Sequence, residues 1–500
     1  MTNNNSNRIG RAVAWSGAAE FLSKLITPIV NMVLARLLTP DAFGIVATIT
    51  MVISFAEVFT DAGFQKYIIQ KEFADDDELD RSTNVAFWTN FALSLLACII
   101  IFAFRHDLAR LVGSEGLGNS LSISSLMIII VSFSSIQMAR FKRAFDFKTL
   151  FVARIGGTLI PLLVTLPAAI ILRNYWAIII GNLAVHIFNA VVLTVKSKWK
   201  PKFEYSFALF KQMLSFSAWT LVESISIWLT SYIDIFIVGS CLSDFYLGLY
   251  KTSMTTVNSY MGIITAAVTP VLFSALSRSQ NNEDEFKETY YRFQRMTAVF
   301  VFPMGIGMLL FSELVTLILL GNQWLEAAPF VGLWALTSAI TIIFSHFASE
   351  VYRSKGNPKI SFVAQVIHLC VLVPVLLISV ERGFEVLYIS RALVRLIVTA
   401  PFFMHFMYKF YVHKVFINVV PSLFSSIVMG AVGYFLKQIN TAIWWQFVVI
   451  LICIVIYFAV LLTMFPKFRR ELLNTPLVNK ILSSLHVKNS KNENSKTETL

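Results

Sequence analysis

Charged and amide side chains recur in this chain where a long apolar helix would ordinarily carry none. Within residues 12–36, Ser16, Glu20, Ser23, Lys24, Thr27 and Asn31 stand three, four, seven and eight residues apart. That spacing gathers them on one stripe of a helix. At an offset of about 204 residues, the segment 214–238 repeats the pattern with Thr220, Glu223, Ser224, Thr230, Ser231 and Asp234. A charge near the centre of a membrane helix costs at least ~2.5–3.5 kcal/mol unless it faces a partner or water. Such stripes therefore line a polar interior or bond helices together. Carboxylates there can relay protons or cations, and bases can hold an anion. Amides and hydroxyls can replace water around a polar solute.

Further candidates lie outside these stripes. Lys251 opens a helix face continued by Thr255, Asn258, Gly262, Thr265 and Thr269. Two readings are open for it: snorkelling to the outer interface, or facing a ligand. Glu20 and Lys24, four apart, can pair with each other or line a cavity, with Lys24 offered to an anion. Arg391 and Arg395 are also four apart, and no acid lies near them in sequence. Arg154 opens its own span. Lys24, Lys251, Arg391, Arg395, Asn31 and Asn258 form the candidate substrate-binding set. Glu20, Glu57, Asp61, Glu223 and Asp234 form the candidate ion- or proton-coupling set. His186, His346, His368 and His405 are scattered singly and read as hydrogen-bonded packing residues.

The elements that position these groups follow from composition. The chain of 500 residues is 56% hydrophobic and 14% charged, with 44 Phe, against about 25% charged in soluble proteins. Apolar segments of about 20 residues, long enough to span a bilayer, follow one another with short polar gaps. The expected fold is an all-α integral membrane protein of about fourteen spans. A soluble protein and a β-barrel are both excluded. The first segment lacks a small-residue cleavage site and reads as a retained span.

With the N-terminus in the cytoplasm, thirty of the 41 Lys and Arg fall on cytoplasmic segments and six on the opposite face. Five lie at membrane depth: Lys24, Arg154, Lys251, Arg391 and Arg395. This is a positive-inside pattern. It accounts for the net charge of +12 without a nucleic-acid partner. Lys196, Lys198, Lys200 and Lys202 are placed to touch anionic lipid headgroups. The acidic run Asp75-Asp76-Asp77-Glu78 with Asp80 reads as a solvated loop, and lacks the turn glycine and ligand spacing of an EF-hand. Cys98, Cys241, Cys370 and Cys453 are isolated and suggest neither disulfide nor metal. No GxxxxGK[ST], HExxH or GxSxG motif occurs. Neither an enzyme nor a cofactor is expected.

Order within the chain shows an internal repeat. Ala14-Trp15-Ser16 matches Ala218-Trp219-Thr220, Leu38-Thr39 matches Leu242-Ser243, and Gly44-Ile45 matches Gly248-Leu249, all at an offset of 204. Six spans separate the copies, so both enter the membrane with one orientation, as a parallel repeat about an axis along the membrane normal. The expected organisation is a six-helix lobe in 1–200, a second in 201–408 and two additional helices in 409–466. A cytoplasmic tail follows in 467–500, surface-lying to 486 and then disordered.

Several stretches resemble bacterial polysaccharide exporters of the Wzx type. These are Leu37-Leu38-Thr39-Pro40-Asp41-Ala42-Phe43-Gly44-Ile45, Asp61-Ala62-Gly63-Phe64 with Ile68-Ile69-Gln70-Lys71, Leu247-Gly248-Leu249-Tyr250 and Phe273-Ser274-Ala275-Leu276-Ser277-Arg278. The resemblance runs over about residues 10–465. The wider superfamily includes multidrug exporters of the MATE type and lipid II flippases. The resemblance implies a flippase of the bacterial inner membrane. It would move an undecaprenyl-diphosphate-linked oligosaccharide by alternating access for capsule, exopolysaccharide, teichuronic-type or O-antigen synthesis. Its partners would be that lipid-linked substrate, membrane lipids, and a polysaccharide polymerase and chain-length regulator. Two alternatives are a cation-coupled multidrug antiporter of the same fold and, from another class, a membrane glycan polymerase.

Overall fold

A computed structural model describes residues 2–61, 63–396, 400–466 and 469–470. Among these, thirteen helices are long and apolar enough to cross a membrane. In chain order these thirteen, with the shorter α12 placed between the eleventh and the twelfth, are α1 (Thr2–Leu37), α2 (Pro40–Asp61), α3 (Asp76–Ala103), α4 (Gly118–Arg143), α5 (Phe147–Leu172), α6 (Trp176–Lys196) and α7 (Phe207–Cys241). They continue as α8 (Asp244–Arg278), α9 (Glu283–Leu310), α10 (Asn322–Ser354), α11 (Pro358–Val380), α12 (Phe384–Val394), α13 (Val420–Ile439) and α14 (Ile443–Met464). The expected span 384–407 accounts for the difference from fourteen. It is described as α12 and a second helix, Ala400–Tyr408, and each is shorter than the ~20 residues a crossing needs. The tail reading for 467–500 lies outside the described residues except at 469–470.

Several helices begin earlier than apolarity alone suggests, because their polar ends are capped. The acidic run is one case, and its structure corrects the loop reading. Asp75 caps α3, accepting from the Glu78 amide at 2.7 Å, and Glu78 accepts from the Ala74 amide at 2.8 Å. Asp76, Asp77 and Glu78 form the first turn, where the helix dipole favours negative charge. Asn282 caps α9 in the same way through the Glu285 amide.

The described residues divide into two compact units. The first comprises residues up to 267 together with 315–334 and 362–397. Its spine is α4, whose serines Ser120, Ser122, Ser124, Ser125, Ser132, Ser134 and Ser135 are buried. Small residues allow close helix approach in a membrane, and several of these hydroxyls bond back to the preceding turn, such as Ser122 to the Gly118 carbonyl. Ser135 instead faces outward from its helix, donating to Asp61 at 3.3 Å and accepting from Gln65 and Asn90. Leu163, Ile171 and Val195 are more than two-thirds exposed, as suits side chains that meet lipid.

The two repeats meet inside this unit. A Cβ on Gly44 would lie 1.9 Å from the Asp244 carbonyl oxygen, and one on Gly248 would lie 1.9 Å from that of Pro40. Pro40 and Asp244 are repeat mates, as are Gly44 and Gly248. The contact is therefore self-complementary about a pseudo-two-fold axis. At the adjoining C-terminal end of α1, carbonyls left unpaired by helix geometry are taken up by α10. Gln323 donates to the Ala35 and Leu38 carbonyls and Trp324 to that of Ala35.

The second unit comprises 268–314, 335–361 and the residues from 398 on. A polar knot ties it together. Asn418 accepts from Arg295 at 2.8 Å and donates to Gln294 and to the Tyr291 carbonyl. Tyr457 on α14 donates to the Val299 carbonyl on α9 at 2.8 Å. His346 shares a hydrogen bond with Thr269.

Candidate functional site

Three groups of polar side chains lie along the helices of the first unit. The first begins with Glu20 on α1. Its carboxylate meets Arg154 of α5 at 2.5 Å and Lys24 at 3.6 Å. Lys24 also donates to the Gly262 carbonyl of α8 at 3.4 Å. Glu20 therefore holds two of the five depth bases, and Arg154 takes part in the stripe in place of a solitary role at its helix end. One turn on, Ser23 shares a hydrogen bond with Thr158 of α5. Asn31 borders a cavity of about 390 Å³ walled by α1, α5 and α6, whose lining includes Thr27, Arg154, Asn182 and Asn189.

The second group is the most buried. Asp234 on α7 and Arg391 on α12 are 3% and 7% exposed, and their ion pair spans 3.3 Å. Tyr250 of α8 completes it, donating to Asp234 at 3.1 Å and accepting from Arg391 Nε at 3.1 Å. One guanidinium nitrogen, Nη1, is buried with no hydrogen-bond acceptor among the described residues. Arg391 and Arg395 lie over the ring of Trp334 at 5.1 and 3.7 Å, a cation–π arrangement. Trp334 in turn donates to Asn258 at 3.1 Å. Lys251, next to Tyr250 in the chain, lies over the ring of Tyr232 at 5.6 Å. Four sequence candidates (Asp234, Arg391, Arg395 and Asn258) thus share one connected network, with Lys251 beside it.

The third group is acidic. Asp61 is bonded to Ser135, and Glu57 stands one turn before it on α2. Glu223 is drawn off by Lys66 at 2.7 Å, with half its side-chain surface exposed. The candidates are therefore not one constellation. Besides the close approach of α2 and α8 at Gly44 and Gly248, polar contacts between the repeats include one from α1 to α8 through Lys24 and one from α2 to α7 through the Trp228–Ser54 hydrogen bond at 3.0 Å. This crossed pairing follows from a two-fold relation, since α1 and α7 are mates and so are α2 and α8. Asn182, Asn189 and the arene of Trp334 were not singled out by sequence. The seven-residue spacing of the two asparagines, with His186 between them, was the available signal.

A helical membrane protein with a repeat and with ion pairs at membrane depth is the class this architecture defines. Residues 33–329 match the family described as polysaccharide biosynthesis protein, and the chain belongs to that family. The Wzx-type resemblance is borne out. Over 437 residues, 85% of this chain and 87% of the relative, it is 20% identical to the lipopolysaccharide biosynthesis protein WzxC of Escherichia coli (strain K12). It is 23% identical over 343 residues, 69% of each chain, to the succinoglycan biosynthesis transport protein ExoT of Rhizobium meliloti (strain 1021). Among solved structures, the fold is shared with the lipid II flippase MurJ. That match has a TM-score of 0.73 and 16% identity, and it covers 91% of this chain and 99% of the other.

Proposed function

We propose that the chain is a flippase for an undecaprenyl-diphosphate-linked oligosaccharide repeat unit, working by alternating access between lobes 1–200 and 201–408 of the bacterial inner membrane, with both termini cytoplasmic. The observation that carries this reading is the form in which the depth bases are held. Lys24 and Arg154 share Glu20, and Arg391 shares Asp234. A carboxylate that partners a base in the resting protein can be exchanged for a phosphate oxygen. An Arg–phosphate pair is charge-assisted and bidentate. Arg391 already has a buried nitrogen with no acceptor among the described residues. A sugar diphosphate cannot cross ~30 Å of hydrocarbon unaided, whereas a wall of hydroxyls, amides and exchangeable cations replaces its hydration. The family membership, and relatives named for succinoglycan, lipopolysaccharide and teichuronic acid synthesis, support the glycan class.

Coupling falls to Glu20, Glu57, Asp61, Glu223 and Asp234 as candidates, and a polymerase and a chain-length regulator are the expected partners downstream. A multidrug antiporter would need carboxylates open to a cationic drug, yet Glu20 and Asp234 are each engaged by arginine. The test uses spheroplasts of a strain lacking the protein. Lipid-linked repeat units should be shielded from periodate that cannot cross the membrane, and should become accessible when the protein is restored. With Lys24→Ala and Lys251→Ala together they should stay shielded. If the double variant exposes substrate normally, the assignment of these bases is wrong.

A further inference from the structure

The cavity beside Asn31 has features that the charge pairs do not explain. Its walls carry Asn31 from α1 and Asn182 and Asn189 from α6, with Thr27, Thr158 and Thr165. No hydrogen bond ties the three amide side chains to the described protein, although all three are half-buried. Amides at membrane depth are unfavourable unless something else meets their donors and acceptors. At about 390 Å³, the space falls within the ~300–1,000 Å³ typical of small-molecule sites.

The surrounding helices are shaped to leave that room. α5 contains a π-turn, Pro161–Thr165, and Pro161 and Thr165 line the cavity. Single π-turns within α-helices occur frequently at functional sites. α1 carries Pro28 one turn from Asn31, and lacks a ladder hydrogen bond there. Gly181 lets the turn approach, since a Cβ there would lie 1.8 Å from Thr165 Oγ1. Gly157 leaves space beside Asn189, whose side-chain amide would lie 3.6 Å from an added Cβ.

We infer that this cavity is a subsite for one uncharged sugar ring of the transported glycan, held by the Asn31, Asn182 and Asn189 amides. The inference rests on the flippase reading and adds a substrate contact inside the first repeat. An amide offers donors and an acceptor side by side, matching adjacent hydroxyls of a pyranose, each of which both donates and accepts. Among the described lining residues there is no carboxylate, and the one charged group is Arg154, already bound to Glu20. A guanidinium in the wall opposes a metal cation. A neutral polyol fits the same oxygen and nitrogen donors without that conflict. The Glu20–Arg154–Lys24 group borders the cavity through Arg154, so a sugar here would sit beside bases suited to the diphosphate.

The test uses the full-length protein in lipid nanodiscs, with methyl glycosides of common hexoses and N-acetylhexosamines as probes. Saturation-transfer NMR should detect at least one glycoside. Asn182→Leu and Asn189→Leu should each weaken it by about tenfold, the loss expected for one or two hydrogen bonds. Val195→Ala, on an exposed surface, should not. Polymer yield in cells should fall with the two asparagine variants. Asn182→Ser and Asn189→Gln keep a hydrogen-bonding group and should retain more binding, which separates lost recognition from lost folding. Folded leucine variants that bind glycosides and support polymer as the parent does would overturn the subsite and leave the flippase reading intact. Sodium-dependent thermal stabilisation that needs the asparagines, with no glycoside signal, would identify an ion site and also overturn it. Unchanged polymer yield in a strain lacking the whole protein would instead remove the flippase reading beneath it.

Discussion

At the scale of single residues, Asp234 and Glu20 do different work although each holds bases. The Asp234–Arg391–Tyr250 set is buried, and removing one partner strands the other. Breaking a buried pair costs about 3–5 kcal/mol, so Asp234→Asn should lower thermal stability by roughly that amount. Asp234→Leu with Arg391→Met should recover most of it. Equal melting temperatures for the parent and Asp234→Asn would show that the pair carries no such weight. Glu20, Lys24 and Arg154 keep a third to a half of their side-chain surface exposed, where an ion pair is worth about 1 kcal/mol or less. Glu20→Gln should therefore leave stability nearly unchanged while altering transport, measured as lipid-linked substrate reaching the outer leaflet. The Glu20–Lys24 pair was legible because it lies within one helix turn. Arg391 looked unpaired because its acid is 157 residues away, on a helix that sequence spacing cannot place beside it.

At the scale of elements, the matched glycines give the repeat a physical reason. Gly44 and Gly248 each lie against the backbone at the start of the mate's helix, so neither tolerates a methyl group without separation of α2 and α8. Gly44→Ala and Gly248→Ala should each cost about 1–3 kcal/mol, as overpacking does. The double variant should cost less than the sum, because both relieve one shared contact. A double-mutant cycle on thermal unfolding checks this, and strict additivity would argue against a common interface. The nearly constant offset of about 204 makes the repeat legible in the sequence. The crossed pairing of α1 with α8 and of α2 with α7 is not legible there, since sequence identifies mates but not the helices they touch. The amide cavity is hidden for a related reason. Its lining comes from three helices that sequence spacing cannot place side by side, and the π-turn at Pro161 that opens it has no periodic signature.

At the scale of the whole molecule, orientation and direction of transport are the broadest statements to test. The positive-inside count predicts that the segment joining α7 and α8 lies outside the cell, and Cys241, the last residue of α7, is exposed and free. In intact spheroplasts, a membrane-impermeant maleimide should label the protein, and Cys241→Ser should abolish most of that label. A cysteine introduced by Asp146→Cys should react only after permeabilisation. The reverse pattern would invert the topology. The all-helical, many-span fold was readable from hydropathy and charge, apart from the division of residues 384–408 into shorter helices.

The most direct measurement is flipping itself. Proteoliposomes containing the purified protein and a fluorescent lipid-linked oligosaccharide would be treated with dithionite, which reduces only fluorophores on the outer leaflet. Without protein, about half the signal should persist, and with protein most of it should be lost on the timescale of flipping. Lys24→Ala with Lys251→Ala should behave as protein-free vesicles do. A stable half-signal with folded parent protein under every imposed ion gradient would contradict the account.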